Sequence, residues 1–203
     1  RSGREAIYAR AFVDCTGYGD LAACSGAEYS EPNDHHVANS IGVGGVDIEK
    51  YYEFIRRHDA VHELCRGERN GKAEQIIRIS ALTDKLPRRF IAAGKEIGMS
   101  TVTTTLHDNY FMFIKLNMRM TVSPTDRDAV TGAELELRRR QIHAIALLRK
   151  WIPGCEQAFI TRTAPSLCIR RGRMIRCDYD ISNDDIVSGK HFDDDIMAYG
   201  FHD

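Results

Sequence analysis

The sequence predicts an α/β or α+β fold, in which helices pack on a mixed, largely antiparallel sheet. Residues 100–122 form β-branched and aromatic runs around a turn at residues 107–109, which predicts the sheet. Several other segments carry apolar residues at helical spacing, which predicts the packed helices. A glycine turn near residue 17, between a short apolar segment and a run of small residues, adds a strand–turn–helix segment.

The first half of the chain begins with alternating residues and continues through a glycine-rich region. Asp47 is a good N-cap residue, and apolar positions behind it recur at helical spacing, which predicts a helix at residues 50–64. The other predicted elements are a strand at 4–13 with a buried end at 11–13, a helix at 20–26, a polar loop at 31–39 and a strand at 41–46.

The second half alternates strands and helices before and after the 100–122 region. Thr131, followed three residues later by Glu134, matches a capping box and predicts a helix at residues 131–150. Its apolar stripe is assigned to Leu135, Ile142, Ile145 and Leu148. The remaining predicted elements are a strand at 75–82, a helix at 87–98, a strand at 159–163 and a short acidic helix at 191–199.

Composition narrows the possible partners. The 203 residues contain 28 Lys and Arg against 29 Asp and Glu, a formal net charge of −1, which does not favour nucleic acid or an anionic membrane as a partner. No apolar run is long enough to span a bilayer. Six cysteines are scattered without a C-x-x-C pair, which indicates a reducing compartment and predicts a cytoplasmic location. The sequence does not predict an oligomeric state.

The glycine turn carries the chemistry of a possible cofactor site. Gly17, Gly19 and Ala22 match G-x-G-x-x-A between a strand and a helix. Glycines allow the backbone to approach a phosphate or sugar, and the start of a helix offers free N–H groups. The alternative interpretation is an ordinary strand–turn–helix in which the glycines only form the turn.

A metal site is a more distant alternative. His58 and His62 are four residues apart in the predicted helix, a spacing that can bind zinc when a third ligand exists. The metalloprotease motif H-E-x-x-H requires glutamate directly after the first histidine, where this chain has Asp59. No third ligand is evident, so no metal is predicted.

Residues 12–22 resemble a segment of the FAD-dependent oxidoreductase family that has a glutathione-reductase-like FAD domain. The family pattern reads hydrophobic-Ile-Asp-Ala-Thr-Gly-Asp-Gly-Asp-hydrophobic-Ala, and this chain departs from it at Cys15 and Tyr18 without changing the Thr-Gly turn. In that family the segment is an internal strand and turn of the FAD domain. The resemblance implies that four residues face FAD: Thr16, Gly17, Gly19 and Asp20.

Later segments are similar to the same family in the same order. They lie at residues 128–134, 151–156, 167–175, 179–192 and 195–196. Arg170 and Arg173 match the family's arginines between substrate and flavin, where a guanidinium can hold a carboxylate or stabilise a reduced flavin. The chain differs from the pattern at three neighbouring positions, occupied by Arg171, Gly172 and Met174.

The resemblance implies a flavin-dependent oxidoreductase that transfers a hydride between an organic small-molecule substrate and FAD. Neither the family's N-terminal G-x-G-x-x-G strand nor its C-terminal FAD-closing segment is found in the sequence. We therefore expect an internal fragment of a longer protein, inactive alone, that binds FAD weakly or not at all. The expected division is a partial FAD domain at 1–40, a substrate-type α+β domain at 41–165 and a return segment at 166–203. A non-catalytic binding or interaction domain with a structural glycine turn is the alternative.

Overall fold

The computed structural model describes residues 3–102 and 110–195. The chain separates into two compact units: a smaller one formed by Arg1–Ser30 with Arg173–Asp203, and a larger one formed by Glu31–Gly172. The predicted turn at residues 107–109 lies outside the described residues. The three-segment division expected from the sequence stays a prediction.

An antiparallel sheet organises the larger unit, as the sequence predicts. In chain order, the strands of the two units are β1 (Tyr29–Ser30), β2 (His35–Gly44), β3 (Val61–Arg69), β4 (Lys72–Ala81), β5 (Met99–Val102), β6 (Tyr110–Met120), β7 (Phe159–Thr163), β8 (Cys168–Ile169) and β9 (Met174–Ile175). Strand β2 is central to the sheet. It pairs with β6 along one edge and with β7 and β8 along the other, and β5 pairs with β6. Strands β3 and β4 form a separate antiparallel ribbon.

Three helices of the larger unit carry the apolar residues that cover the sheet: α2 (Ile48–Arg57), α3 (Arg88–Glu96) and α4 (Arg127–Trp151). The smaller unit contributes α1 (Asp20–Cys24) and α5 (Asn183–Ser188). Asp47 caps α2 as predicted, because its carboxylate accepts from the N–H of Lys50 at 3.0 Å. Ile48, Tyr51 and Ile55 then face the core at helical spacing. No helix of the described residues is both long and apolar enough to cross a membrane.

The predicted polar loop at residues 31–39 is wrong over most of its length, because β2 begins at His35. The predicted helix at 50–64 is also too long. It ends at Arg57, Asp59 adopts a φ of 51°, and Val61 starts β3 opposite Ala81. A residue in the left-handed region stops the helix, and the β-branched residue that follows favours a strand.

Helix α4 begins four residues before the predicted cap. The carboxylate of Asp126 accepts from the N–H of Ala129, whereas the Thr131 hydroxyl bonds the Arg127 carbonyl within the helix. The buried stripe is partly different from the predicted one. Leu135 and Ile142 are exposed, and the positions that face the core are Ala133, Leu137, Gln141, Ala144, Ile145 and Leu148.

The smaller unit has no buried residue among those that the structure describes. Its regular elements are α1, the β1–β9 pair and α5. The predicted strand with a buried end at residues 11–13 is wrong: Phe12 is 61% exposed, Val13 is 82% exposed, and neither lies in a strand. No described strand pairs with this segment, so its backbone has no ladder to join. Residues 191–195 of the predicted acidic helix are not helical, and 196–199 lie outside the described residues.

Candidate functional site

The turn at residues 16–20, called the 16–20 turn below, is held by the carboxylate of Asp14. One carboxylate oxygen accepts from the N–H and the hydroxyl of Thr16, at 2.8 and 2.6 Å, and the other accepts from the N–H of Ala22 at 2.8 Å. These bonds, led by the Thr16 hydroxyl, lower the pKa of Asp14. The sequence identified Asp14 only as part of the segment at residues 12–22, without a role of its own. Its position two residues before Thr16 and six before α1 is the signal for this capping role.

The four predicted cofactor residues lie together in the 16–20 turn but differ in what they offer. Gly19 has a φ of 62°, and a Cβ atom there would lie 2.9 Å from Cδ1 of Ile175. Gly17 has a negative φ, and a Cβ atom there would meet nothing within 4 Å. The left-handed backbone and the nearby Ile175 side chain therefore favour glycine at position 19, whereas the Gly17 side of the turn is open.

The start of α1 offers fewer free donors than the sequence predicts. The Thr16 hydroxyl accepts from the N–H of Asp20 at 2.6 Å, and the N–H of Ala22 already donates to Asp14. Two backbone donors of the first turn are thus satisfied within the protein. A molecule bound here would contact the turn from the Gly17 side rather than sit at the end of the helix axis.

Arg173 also belongs to the 16–20 turn. Its guanidinium donates to the carboxylate of Asp20 at 2.5 Å and to the carbonyl of Tyr18 at 3.2 Å, and it lies 5.2 Å from the ring centroid of Tyr29. The hydrogen bond to Asp20 is the main cause of the raised pKa of Arg173. Its side chain is 16% exposed. The guanidinium therefore fixes the turn and neutralises Asp20.

Arg170 lies in the larger unit, not with Arg173. It lines a cleft of about 470 Å³ at the start of β2, called the arginine cleft below, whose walls are Asp34, His35, His36, Arg119, Arg170 and Arg171. The cleft combines Asp34 and the first residues of β2 with Arg119 of β6 and the two residues directly after β8. The sequence predicted a role for Arg170 alone, because the other residues come together only through strand pairing.

His35 is the most unusual member of the arginine cleft. His35 is 4% exposed, and neither ring nitrogen has a hydrogen-bond partner among the residues that the structure describes. Burial, followed by the positive charge of Arg171, lowers the pKa of His35 and favours the neutral imidazole. A buried polar group without a partner costs about 1–3 kcal/mol, so His35 is an energetically costly residue in the wall of the cleft.

The arginines of the cleft differ in how they are paired. Arg119 forms a two-point ion pair with the carboxylate of Asp34, from Nε and Nη2 to the two oxygens. Arg170 and Arg171 are exposed and form no hydrogen bond or ion pair with any described residue. The cleft therefore presents two unpaired guanidinium groups beside one neutralised carboxylate.

The histidine pair considered for zinc does not form a metal site. His58 bonds the carbonyl of Phe54 at 2.9 Å at the end of α2, whereas His62 lies on β3 and bonds the Ser80 hydroxyl at 3.1 Å. Over residues 3–102 and 110–195, no group of three or more His, Cys, Asp or Glu side chains could hold a metal ion.

The larger unit has the mixed helices and antiparallel sheet that the sequence predicts, and the 16–20 turn has the residue order of the family segment described above. A family model described as FAD dependent oxidoreductase matches residues 1–202, nearly the whole chain, and the chain belongs to that family. The match agrees with the resemblance that residues 12–22 and the later segments show to this family. Searches of curated proteins and of solved structures found no match.

Proposed function

We propose that the protein is a flavin-dependent oxidoreductase that transfers a hydride between a small organic substrate and FAD. Membership of the family supports flavin chemistry in general, and FAD, when bound, supplies the hydride acceptor or donor. The observation that carries the proposal furthest is the 16–20 turn. Thr16, Gly17 and Gly19 of the turn, and Asp14 before it, occupy the positions of the family motif. The Gly17 side of the turn is open.

Each residue of the 16–20 turn has a distinct part in this proposal. Gly17 lets the backbone approach the cofactor, and the Thr16 hydroxyl shapes the turn by accepting from the backbone N–H of Asp20. Gly19 provides the left-handed conformation before α1. Asp14 and Arg173 are positioning residues, because their polar groups are committed to Thr16, Ala22, Asp20 and Tyr18.

Arg170 is assigned to the substrate side. Its guanidinium is exposed and without an ion-pair partner among the described residues, so it can meet an anionic substrate in a planar fork. All six cysteines are free, which supports the proposal of a cytoplasmic protein.

The test is a fluorescence titration of FAD onto the natural gene product that contains this chain, with two glycine variants compared. Gly17→Leu places a side chain in the open space beside the 16–20 turn, and we expect it to weaken FAD binding at least tenfold. Gly132→Leu is the matched control, because Gly132 also has a negative φ and open space around it, but lies on an exposed face of α4. The control should bind FAD like the wild type.

Equal binding by both variants would remove the cofactor role of the 16–20 turn. No FAD binding by any form would leave the alternative of a non-catalytic binding domain whose glycine turn is structural. A separate titration of the 203-residue chain alone tests the expectation that it binds FAD weakly or not at all, because the family's main glycine loop is not in this sequence. Tight binding by the chain alone would show that this loop is not needed.

A further inference from the structure

The arginine cleft contains polar groups that the described residues leave unsatisfied. Both ring nitrogens of His35 are buried without a hydrogen-bond partner. Arg170 and Arg171 have no ion-pair partner among the described residues, although most arginines of α4 and the sheet do. His35 is the buried, unsatisfied group, and two exposed guanidinium groups without an ion-pair partner share its cleft, so the cleft offers several donors to one ligand.

Strand register explains why these groups are neighbours. Strands β2 and β8 are antiparallel, with Val37 opposite Ile169 and Ala38 opposite Cys168. Strand β8 ends at Ile169, and the two residues that follow it bring Arg171 to the wall of the cleft that His35 also lines, at the start of β2. The effect of Arg171 on the pKa of His35 agrees with this placement. A neutral imidazole then offers one N–H donor and one acceptor.

The charge balance selects an anion. Among the described residues that line the cleft, Asp34 is the one carboxylate, and Arg119 pairs with it through two hydrogen bonds. Arg171 adds a weaker electrostatic effect on Asp34 without forming an ion pair, so three guanidinium groups in the cleft face one carboxylate. A neighbouring cleft near Lys95 differs, since its Arg140 pairs with Glu136 at 2.7 Å. The excess of unpaired guanidinium groups is a property of the arginine cleft.

We propose that the arginine cleft binds the carboxylate or phosphate oxyanion of a small molecule, with Arg170 and Arg171 as guanidinium ligands and His35 as an N–H donor. Guanidinium groups bind both kinds of oxyanion through paired N–H donors. The cleft volume of about 470 Å³ is in the range of small-molecule sites. That this molecule is the substrate rests on the proposed function, whereas oxyanion binding does not.

The test is isothermal titration of the natural gene product with sodium succinate and, separately, with sodium phosphate. Ionic strength is held constant and chloride is the control anion. We expect saturable binding of at least one probe, weakened roughly tenfold or more by Arg171→Gln and by Arg170→Gln, because each removes charge-assisted hydrogen bonds. Arg89→Gln is the matched control, since Arg89 is an exposed arginine on α3 that lines neither cleft. The tighter probe distinguishes a carboxylate from a phosphate ligand.

No saturable binding of either probe, or an equal loss in Arg89→Gln, would overturn the proposal. The side-chain ¹⁵N resonances of His35 give a second readout that does not depend on a variant. They should shift when the probe saturates the protein, and unchanged resonances would remove His35 from the site. FAD titrations of the same samples separate the two proposals. Oxyanion binding without FAD binding would contradict only the proposed function, and the reverse would contradict only this inference.

Discussion

The larger unit buries residues from its central strands and from its α-helices α2, α3 and α4, whereas the smaller unit buries none of its described residues. In the larger unit two apolar clusters, one around Tyr51 and Phe90 and one around Leu116 and Leu137, lie between the sheet and the helices. In the smaller unit, carboxylates and guanidinium groups close turns and cap short helices. Examples are the side chains of Asp14, Arg173 and Asp185, which bond Thr16, Asp20 and Ser182.

The two units should therefore respond differently to change. A unit held by buried apolar contacts loses stability when its side chains are shortened, and it unfolds cooperatively. A unit held by local polar contacts opens in small segments and depends on individual hydrogen bonds. Matched substitutions in the two units can separate these behaviours.

Two isoleucines on helices should differ most. Ile55 of α2 is fully buried, and Ile55→Ala should lower the free energy of unfolding by about 2–5 kcal/mol. Ile186 of α5 is 63% exposed, and Ile186→Ala should change it by less than about 0.5 kcal/mol. Urea unfolding followed by far-UV circular dichroism measures both. Similar losses in the two variants would contradict the contrast between the units.

Two glycines with nearly equal φ angles give the next largest difference. Gly154 (φ 93°) would place a Cβ atom 2.5 Å from the carbonyl oxygen of Asp47, whereas Gly26 (φ 91°) would meet nothing within 4 Å. Gly154→Ala adds backbone clash to conformational strain and should cost about 2–5 kcal/mol. Gly26→Ala adds strain alone and should cost about 1–2 kcal/mol. Thermal unfolding of the two variants compares their losses of stability. A larger loss of stability in Gly26→Ala than in Gly154→Ala would contradict this prediction.

Asp14→Asn should open the 16–20 turn without changing global stability. In the wild type, the second carboxylate oxygen of Asp14 accepts a hydrogen bond from the N–H of Ala22 at 2.8 Å. The amide nitrogen that replaces this oxygen in Asp14→Asn cannot accept it. We expect severalfold faster hydrogen exchange at the Ala22 amide and an unchanged urea midpoint. Asp178→Asn, which changes an exposed aspartate of the same unit, is the control. A shifted urea midpoint would mean that the turn is part of the global core.

The smallest effect is a pH dependence confined to α5. The Tyr179 hydroxyl, followed by the N–H and hydroxyl of Ser182, lowers the pKa of Asp185 well below 3.8. Because the folded pKa is depressed, the stabilisation is present above the unfolded value and is lost as the pH falls through the folded one. The Ser182 amide resonance should therefore move only in strong acid.

The matched variants for this titration are Asp185→Asn and Asp184→Asn, two neighbours in the first turn of α5. The first should abolish the acid-dependent movement of the Ser182 amide, because it removes the capping carboxylate. The second should leave it unchanged. Movement of the Ser182 amide near pH 4 in the wild type would contradict the lowered pKa.

Sequence patterns predicted the elements whose signals are local. The helix capped by Asp47, the strand β7 and the antiparallel sheet all follow from caps, β-branched runs and turns. The start of β2 was missed because polar residues occupy buried positions there. Asn39, for example, accepts from Gln141 of α4 at 2.8 Å, and the two amides meet only after the sheet and helix have packed together.

The two candidate sites were predictable to different degrees. The 16–20 turn is contiguous, so its residues and their order could be identified directly. The arginine cleft joins residues near 35, 119 and 171, which strand pairing brings together. In the sequence, Arg171 is notable only because it differs from the family pattern. No residue near it in the sequence indicates that it lines the same cleft as a buried histidine.

Flavin dependence can be tested on the natural gene product as purified, with no FAD added, by its visible absorption spectrum. The proposed function predicts an oxidised-flavin band that disappears when a reductant is added and returns in air. A spectrum without this band, unchanged after incubation with FAD and removal of the excess, would contradict a flavin-dependent oxidoreductase.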